Sequence, residues 1–387
     1  MRLEDRFRSF RNAPAPDLWP DIEGRAPGAR QPRAPRWIAA AAALAVAAAG
    51  LFLAARAFRT DRPPSRPAST PPEPVVVGTT EIPGANAVAV GEGSVWVGAI
   101  ANDGGCSGTI HRIDPTTGEI VASIPVDAIG HWEVGGGGID VQPGAVWVAG
   151  DVCGPGGDRV ILQRIDPSTN EKTMVADLGA GLIGDVDATA DSVWVTAFRN
   201  QADAELLRVD PGTGNIEATI PMSSQYVRGV LGAGGAVWVH PREVEASTVG
   251  SGYLVKVDPE TNQIAETLDV KMEPPAFRDG SLWAHHGDAI LEIDPATAAI
   301  VDRYPGVGVS QYGVLRSGAG GLWFLLADDT SGEGGAPVVR FSPETGQVDV
   351  VVDLGPDRIP VDMAVTDSSI WVVNYEGSLT RVDLRRP

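Results

Sequence analysis

Residues 88–118, VAVGEGSVWVGAIANDGGCSGTIHRIDPTTG, hold the unit on which the fold turns. An apolar run ending at Val90 meets a polar Gly-Glu-Gly-Ser turn and then a second apolar run around Val95-Trp96-Val97. Two such runs across a short Gly-rich turn form the pattern of a β-hairpin. A third run ends in Arg112-Ile113-Asp114-Pro115-Thr116-Thr117-Gly118. There the Asp can accept backbone N–H bonds, the Pro fixes φ and the Gly supplies a left-handed residue, so a third strand turns into a fourth. These aspartates read as turn residues, not as a catalytic array.

The unit repeats. Trp96, Trp147, Trp194, Trp238, Trp283, Trp323 and Trp371 are spaced by 51, 47, 44, 45, 40 and 48 residues, close to the length of a propeller blade. Eight residues before each Trp stand Val88, Ile139, Val186, Val230, Pro275, Leu315 and Met363, aligned without a gap. The Asp-Pro turn recurs at 166–167, 210–211, 258–259 and 294–295, then decays to Ser342-Pro343 and Asp383-Leu384. Six of the seven turns are followed by an outer strand, while the last unit runs out at Pro387. Val75–Pro83 has the pattern of the missing strand and precedes the first unit, so it is expected to pair into the last blade and close the ring. The expected fold is all-β: a seven-bladed β-propeller over residues 75–387, with 75–83 as the closing strand.

Residues 1–74 differ in kind. They carry a net charge of +5 against −25 for the remainder. Trp37–Ala55 is free of charge, and residues 37–58 read as a single transmembrane helix with an interfacial indole at one edge. Residues 1–36 then form a largely disordered cytoplasmic tail, and Pro-rich residues 59–74 an extended linker. A cleaved signal peptide ending near Ala55-Arg56-Ala57 is the other reading of the same segment. Both place the acidic body outside the cytoplasm, attached in the first case to the cell membrane. A body of that charge repels phosphate backbones, which argues against nucleic acid as a partner.

Register from the tryptophans selects the residues that face the channel. Asp185 and Asp362 stand nine before their Trp, and Asp140, Asp187 and Arg316 stand seven before; Arg228 is ten before. Alternation puts positions nine and seven on one face and the apolar position eight on the other, so Asp140, Asp185, Asp187, Asp362 and Arg316 are expected to share a polar funnel, with Arg228 a further candidate at its entrance. Oxygen ligands converging from several blades would suit Mg²⁺ or Ca²⁺. His131-Trp132-Glu133, in the Gly-rich stretch before the second blade, is a further cluster at the expected mouth. His240 and His285 fall two residues after consecutive tryptophans, with His286 next, and are candidates for acid–base or metal chemistry. Cys106 and Cys153 fall in equivalent loops of adjacent blades and are expected to form a disulfide in an oxidising compartment.

The Val-Trp-Val strand followed by Arg-Ile-Asp-Pro-Thr-Thr-Gly resembles the YVTN-type and virginiamycin-B-lyase-like propellers of bacteria over residues 75–387. The resemblance implies a seven-bladed propeller and either ligand binding or metal-assisted lyase chemistry with His and Glu from blade loops. Here the sequence His285-His286-Gly287-Asp288 departs from the Glu-x-His order of the lyases. Two readings therefore stand open. One is a tethered module that binds a small molecule, peptide or protein at the channel mouth; the other is a lyase- or hydrolase-like enzyme using His240, His285 or His286 with a divalent ion. Fold alone selects neither.

Overall fold

The computed structural model describes residues 73–385, except 102–106, 131–137, 153–156, 200–203, 225, 243–252, 269–274, 308–313, 326–336 and 356–357. Among the described residues, twenty-eight strands form seven four-stranded antiparallel sheets. Strands are lettered a to d from the channel outward. Blade 1 consists of Ala85–Gly91, Ser94–Ile100, Gly108–Ile113 and Ile120–Val126. Its register sets Ala89 opposite Trp96, Trp96 opposite Arg112 and Arg112 opposite Ala122, which keeps these residues on one face of the sheet.

The Val-Trp-Val triplet builds the ring because its members point to opposite faces of strand b. Trp96 packs against Val146, Val148 and Ile165 of blade 2. Trp147 packs with Val193, Val195 and Val209 of blade 3, and Trp194 with Val237, Val239 and Val257 of blade 4. The series continues until Trp371 meets Val95, Val97 and Ile113 of blade 1. Each indole is thus gripped by the two valines, or their substitutes, that flank the next indole. None of the seven is more than 4% exposed, and truncating one such ring in a packed core costs about 3–5 kcal/mol.

The Asp-Pro turns are built as their residues dictate. Asp114 Oδ1 accepts the N–H groups of Thr116 and Thr117 at 2.7 and 3.1 Å, and Asp210 Oδ1 does so from Gly212 and Thr213 at 3.1 and 2.6 Å. Gly118 and Gly214 close these turns at φ 77° and 73°, in the left-handed region.

In four of the seven blades a cation on strand c, opposite the Trp, adds a second tie to the next blade. Arg112 lies over the Trp96 ring at 5.1 Å and sends Nη1 to the Pro167 carbonyl (2.6 Å) and Asn170 Oδ1 (2.9 Å) of blade 2. Arg208 repeats this over Trp194, reaching the Pro259 carbonyl of blade 4 at 2.6 Å. Lys256 reaches the Ala296 carbonyl of blade 5 and Arg381 the Thr116 carbonyl of blade 1.

Closure is by the expected strand. Glu73–Glu81 pairs antiparallel with Ser378–Arg385, from Glu73 opposite Arg385 to Glu81 opposite Ser378. The strand begins and ends two residues before the Val75–Pro83 span read from sequence, because Ile82 leaves the ladder to bury itself, 1% exposed, among Ala85, Val373 and Leu379. The tail, the helix expected at 37–58 and nearly all of the linker lie outside the described residues. Among the described residues no helix is long and apolar enough to cross a membrane.

Candidate functional site: an acidic central channel

Seven innermost strands stand side by side around the axis, and each turns the free edge of its ladder toward the channel. The cavity they enclose measures about 320 Å³ and is lined from all seven blades. Asp140, Asp185, Asp187, Arg316 and Asp362 all line it, so five side chains chosen from register alone meet in one place.

The carboxylates obey a rule. Asp185 accepts the N–H of Val230 at 3.1 Å, and Asp362 that of Val88 at 2.8 Å. Asp140 accepts the N–H of Ala188 at 2.9 Å, and Asp187 that of Gly232 at 2.8 Å. An Asp nine before its Trp therefore binds the N–H eight before the next Trp, and an Asp seven before binds the N–H six before. Each carboxylate caps a backbone donor that no strand pairs, which is an obligation for any polar group removed from water. These bonds cross from blade 2 to 3, 3 to 4 and 7 to 1.

Among the described side chains one guanidinium faces the four acids. Arg316 Nη2 meets Asp362 Oδ1 at 2.9 Å, and its Nε donates to the Met363 carbonyl at 3.0 Å. Even so, burial pushes the Asp362 carboxyl up from its ordinary value. Burial raises Asp185 to about 7, against the pull of the Val230 and Val186 N–H groups. Asp140 is raised by burial, and Asp187 well above the usual range by burial and then by the charge of Asp140. Ionisation of these carboxyls is thus unfavourable in the cavity, and protons or a cation relieve it.

The remaining sequence candidates fall elsewhere. Ala236–Arg242, strand b of blade 4, and Ser281–His286, strand b of blade 5, carry His240 and His285, 2% and 5% exposed, and neither lines the cavity. His286 ends its strand, partly exposed. Among the described residues no three His, Cys, Asp or Glu side chains converge to hold a metal ion. Arg228 lies on strand a of blade 4, but its side chain is outside the description. His131, Trp132, Glu133, Cys106 and Cys153, and with them the expected disulfide, lie outside the described residues. Sequence reasoning named the acids but missed their backbone partners. The signal was available: the paired donors sit one residue nearer the Trp of the following repeat.

No family model matches the chain, and no curated protein matches it. What is established is therefore the architecture, an all-β seven-bladed propeller of a kind commonly used to bind ligands and proteins, with an acidic channel through its axis.

Proposed function

We propose that this chain is a membrane-tethered, extracytoplasmic binding module and that the cationic part of its ligand, an ammonium or guanidinium group, enters the central channel. One observation carries the reading: among the described side chains, four carboxyls and one guanidinium, already paired with Asp362, face the same small cavity. Each carboxylate spends an oxygen on a neighbouring blade and keeps lone pairs for a donor in the cavity. The charge-free run of residues 37–55 supports the tether, and the resemblance of the repeat to bacterial YVTN-type propellers agrees with a binding role.

The test is calorimetric titration of the full chain with agmatine and n-butylammonium at pH 8. Binding with a Kd of about 1 mM or tighter, weakened about tenfold in both Asp140→Asn and Asp187→Asn, supports the proposal. No heat up to about 10 mM of either cation, or unchanged binding in both variants, ends it. Retention of the full chain in carbonate-washed membranes tests the tether separately.

A further inference from the structure

The junction between blades 2 and 3 is one of three without the cation bridge: blade 5 has Glu292 opposite its Trp, and Arg340 of blade 6, like Arg164 of blade 2, bonds a carbonyl of its own blade. Arg164 occupies the position of Arg112 and Arg208, yet it lies 6.0 Å from the Trp147 ring and bonds inside its own blade, to the Gly144 carbonyl at 2.8 Å. Two residue differences from blades 1 and 3 accompany this. Arg112 and Arg208 are oriented by Nε bonds of 2.8 Å to Ser94 and Ser192, two residues before their tryptophans. Blade 2 has Ala145 at that place, which accepts nothing. The receiving turn of blade 3 has Gly214 where Asn170 and Asn262 offer an amide oxygen, so the second acceptor is missing as well.

Where the bridge would run there is a cleft of about 690 Å³. Trp147, Pro143, Met174 and Ala190 supply apolar wall, Arg164 supplies donors, and Pro211 and Gly212 form the far rim. Among the described residues no carboxylate lines it, although the chain has 50 acidic residues and a net charge of −20. Asp166, the acid two residues beyond Arg164, accepts from Ser168 and also feels the Arg164 charge, but does not line the cleft. The sister carbonyls of Pro167 and Pro259 each receive an N–H from the preceding blade, and Pro211 lies free of that bridge. A ligand completing this junction must accept from a guanidinium, donate to a carbonyl and cover apolar wall. A peptide carboxyl terminus does all three: its carboxylate matches the planar fork of Arg, its last N–H suits the Pro211 carbonyl, and an apolar last side chain fills the floor.

We propose that the cleft between blades 2 and 3 binds the carboxyl-terminal residues of a peptide ending in an apolar side chain, independently of the channel. The experiment is calorimetry on the full chain with acetyl-Ala-Ala-Leu as the free acid and as its terminal amide. The acid should bind in the millimolar range or better, with the amide about tenfold weaker. Arg164→Gln should abolish the preference for the acid, while Arg112→Gln, at a bridged junction, should leave it intact. Equal binding of acid and amide, no heat up to about 10 mM, full binding in Arg164→Gln, or an equal loss in Arg112→Gln overturns the proposal. None of these variants touches the channel acids, so the outcome is separable from that of the cation titration.

Discussion

At the scale of the residue, Asp185 shows how one carboxyl links stability to ligand charge. Its folded value of about 7 lies above the ordinary 3.8. Between those values the folded chain holds a proton that the unfolded chain releases, so this group's contribution is greatest below pH 4 and is lost as pH rises through 7. The turn aspartates act in the opposite sense. Asp114, Asp166, Asp210, Asp258 and Asp294 are held below their usual value by N–H and hydroxyl bonds within their turns, and their support fades only as pH falls below 4. A thermal melt series from pH 5 to 8 should therefore slope downward through the channel acids. Asp185→Asn removes one of them, and its Tm relative to wild type should rise by roughly 2–4 °C across that interval. A parallel slope in the variant would show that Asp185 is ionised throughout. Cation binding in the channel should strengthen over the same pH range as protons leave, read as a falling Kd for agmatine between pH 5.5 and 8.

At the scale of the element, the repeat unit was readable because its strands have only one way to satisfy their pattern. Val-Trp-Val sends one large ring and two branched side chains to opposite faces, and both faces are buried, so the blade must lie between two others. The strand-c cation was not legible in the same way. A basic residue before Ile-Asp-Pro reads as solvated, and its reach to the next blade depends on a Ser and an Asn that are distant in sequence. That dependence predicts unequal costs for similar mutations. Arg208→Ala removes a ring contact, a Ser192 bond and the bond to blade 4, and should destabilise by about 1–2 kcal/mol in urea unfolding. Arg164→Ala removes only bonds within its own blade and should cost less than about 0.5 kcal/mol. Equal costs would mean that the bridges carry no energy. The channel lay between these extremes: the acids followed from register, but the choice of backbone donor required blades already set side by side. His240 and His285, two residues after their tryptophans, are buried and are not among the residues lining the cavity.

At the scale of the whole molecule, the ring is fastened by Glu73–Glu81, a strand remote in sequence from every other strand of its sheet. It enters antiparallel to Ser378–Arg385, with Glu73 beside Arg385, as strand d follows strand c in the other six blades. The last blade adds polar ties: Asn374, fully buried, donates to Ser378 and Thr380, while Arg358 joins Glu376 to Ser378. Without the closing strand, Ser378–Arg385 becomes an open edge able to pair with another copy. Deleting residues 73–81 should therefore make the chain aggregate, seen by light scattering against the parent. The position of the strand also makes a stricter demand. If pairing and not chain order holds the ring shut, the same nine residues should serve equally well when moved behind Pro387 on an Asp-Pro-Thr-Thr-Gly turn copied from blade 1. That permutant should unfold in one transition, within about 2 kcal/mol of the parent, since only a loop closure has changed. A permutant that stays open or melts in two steps would show that the strand must be laid down first, before the blades it joins have formed.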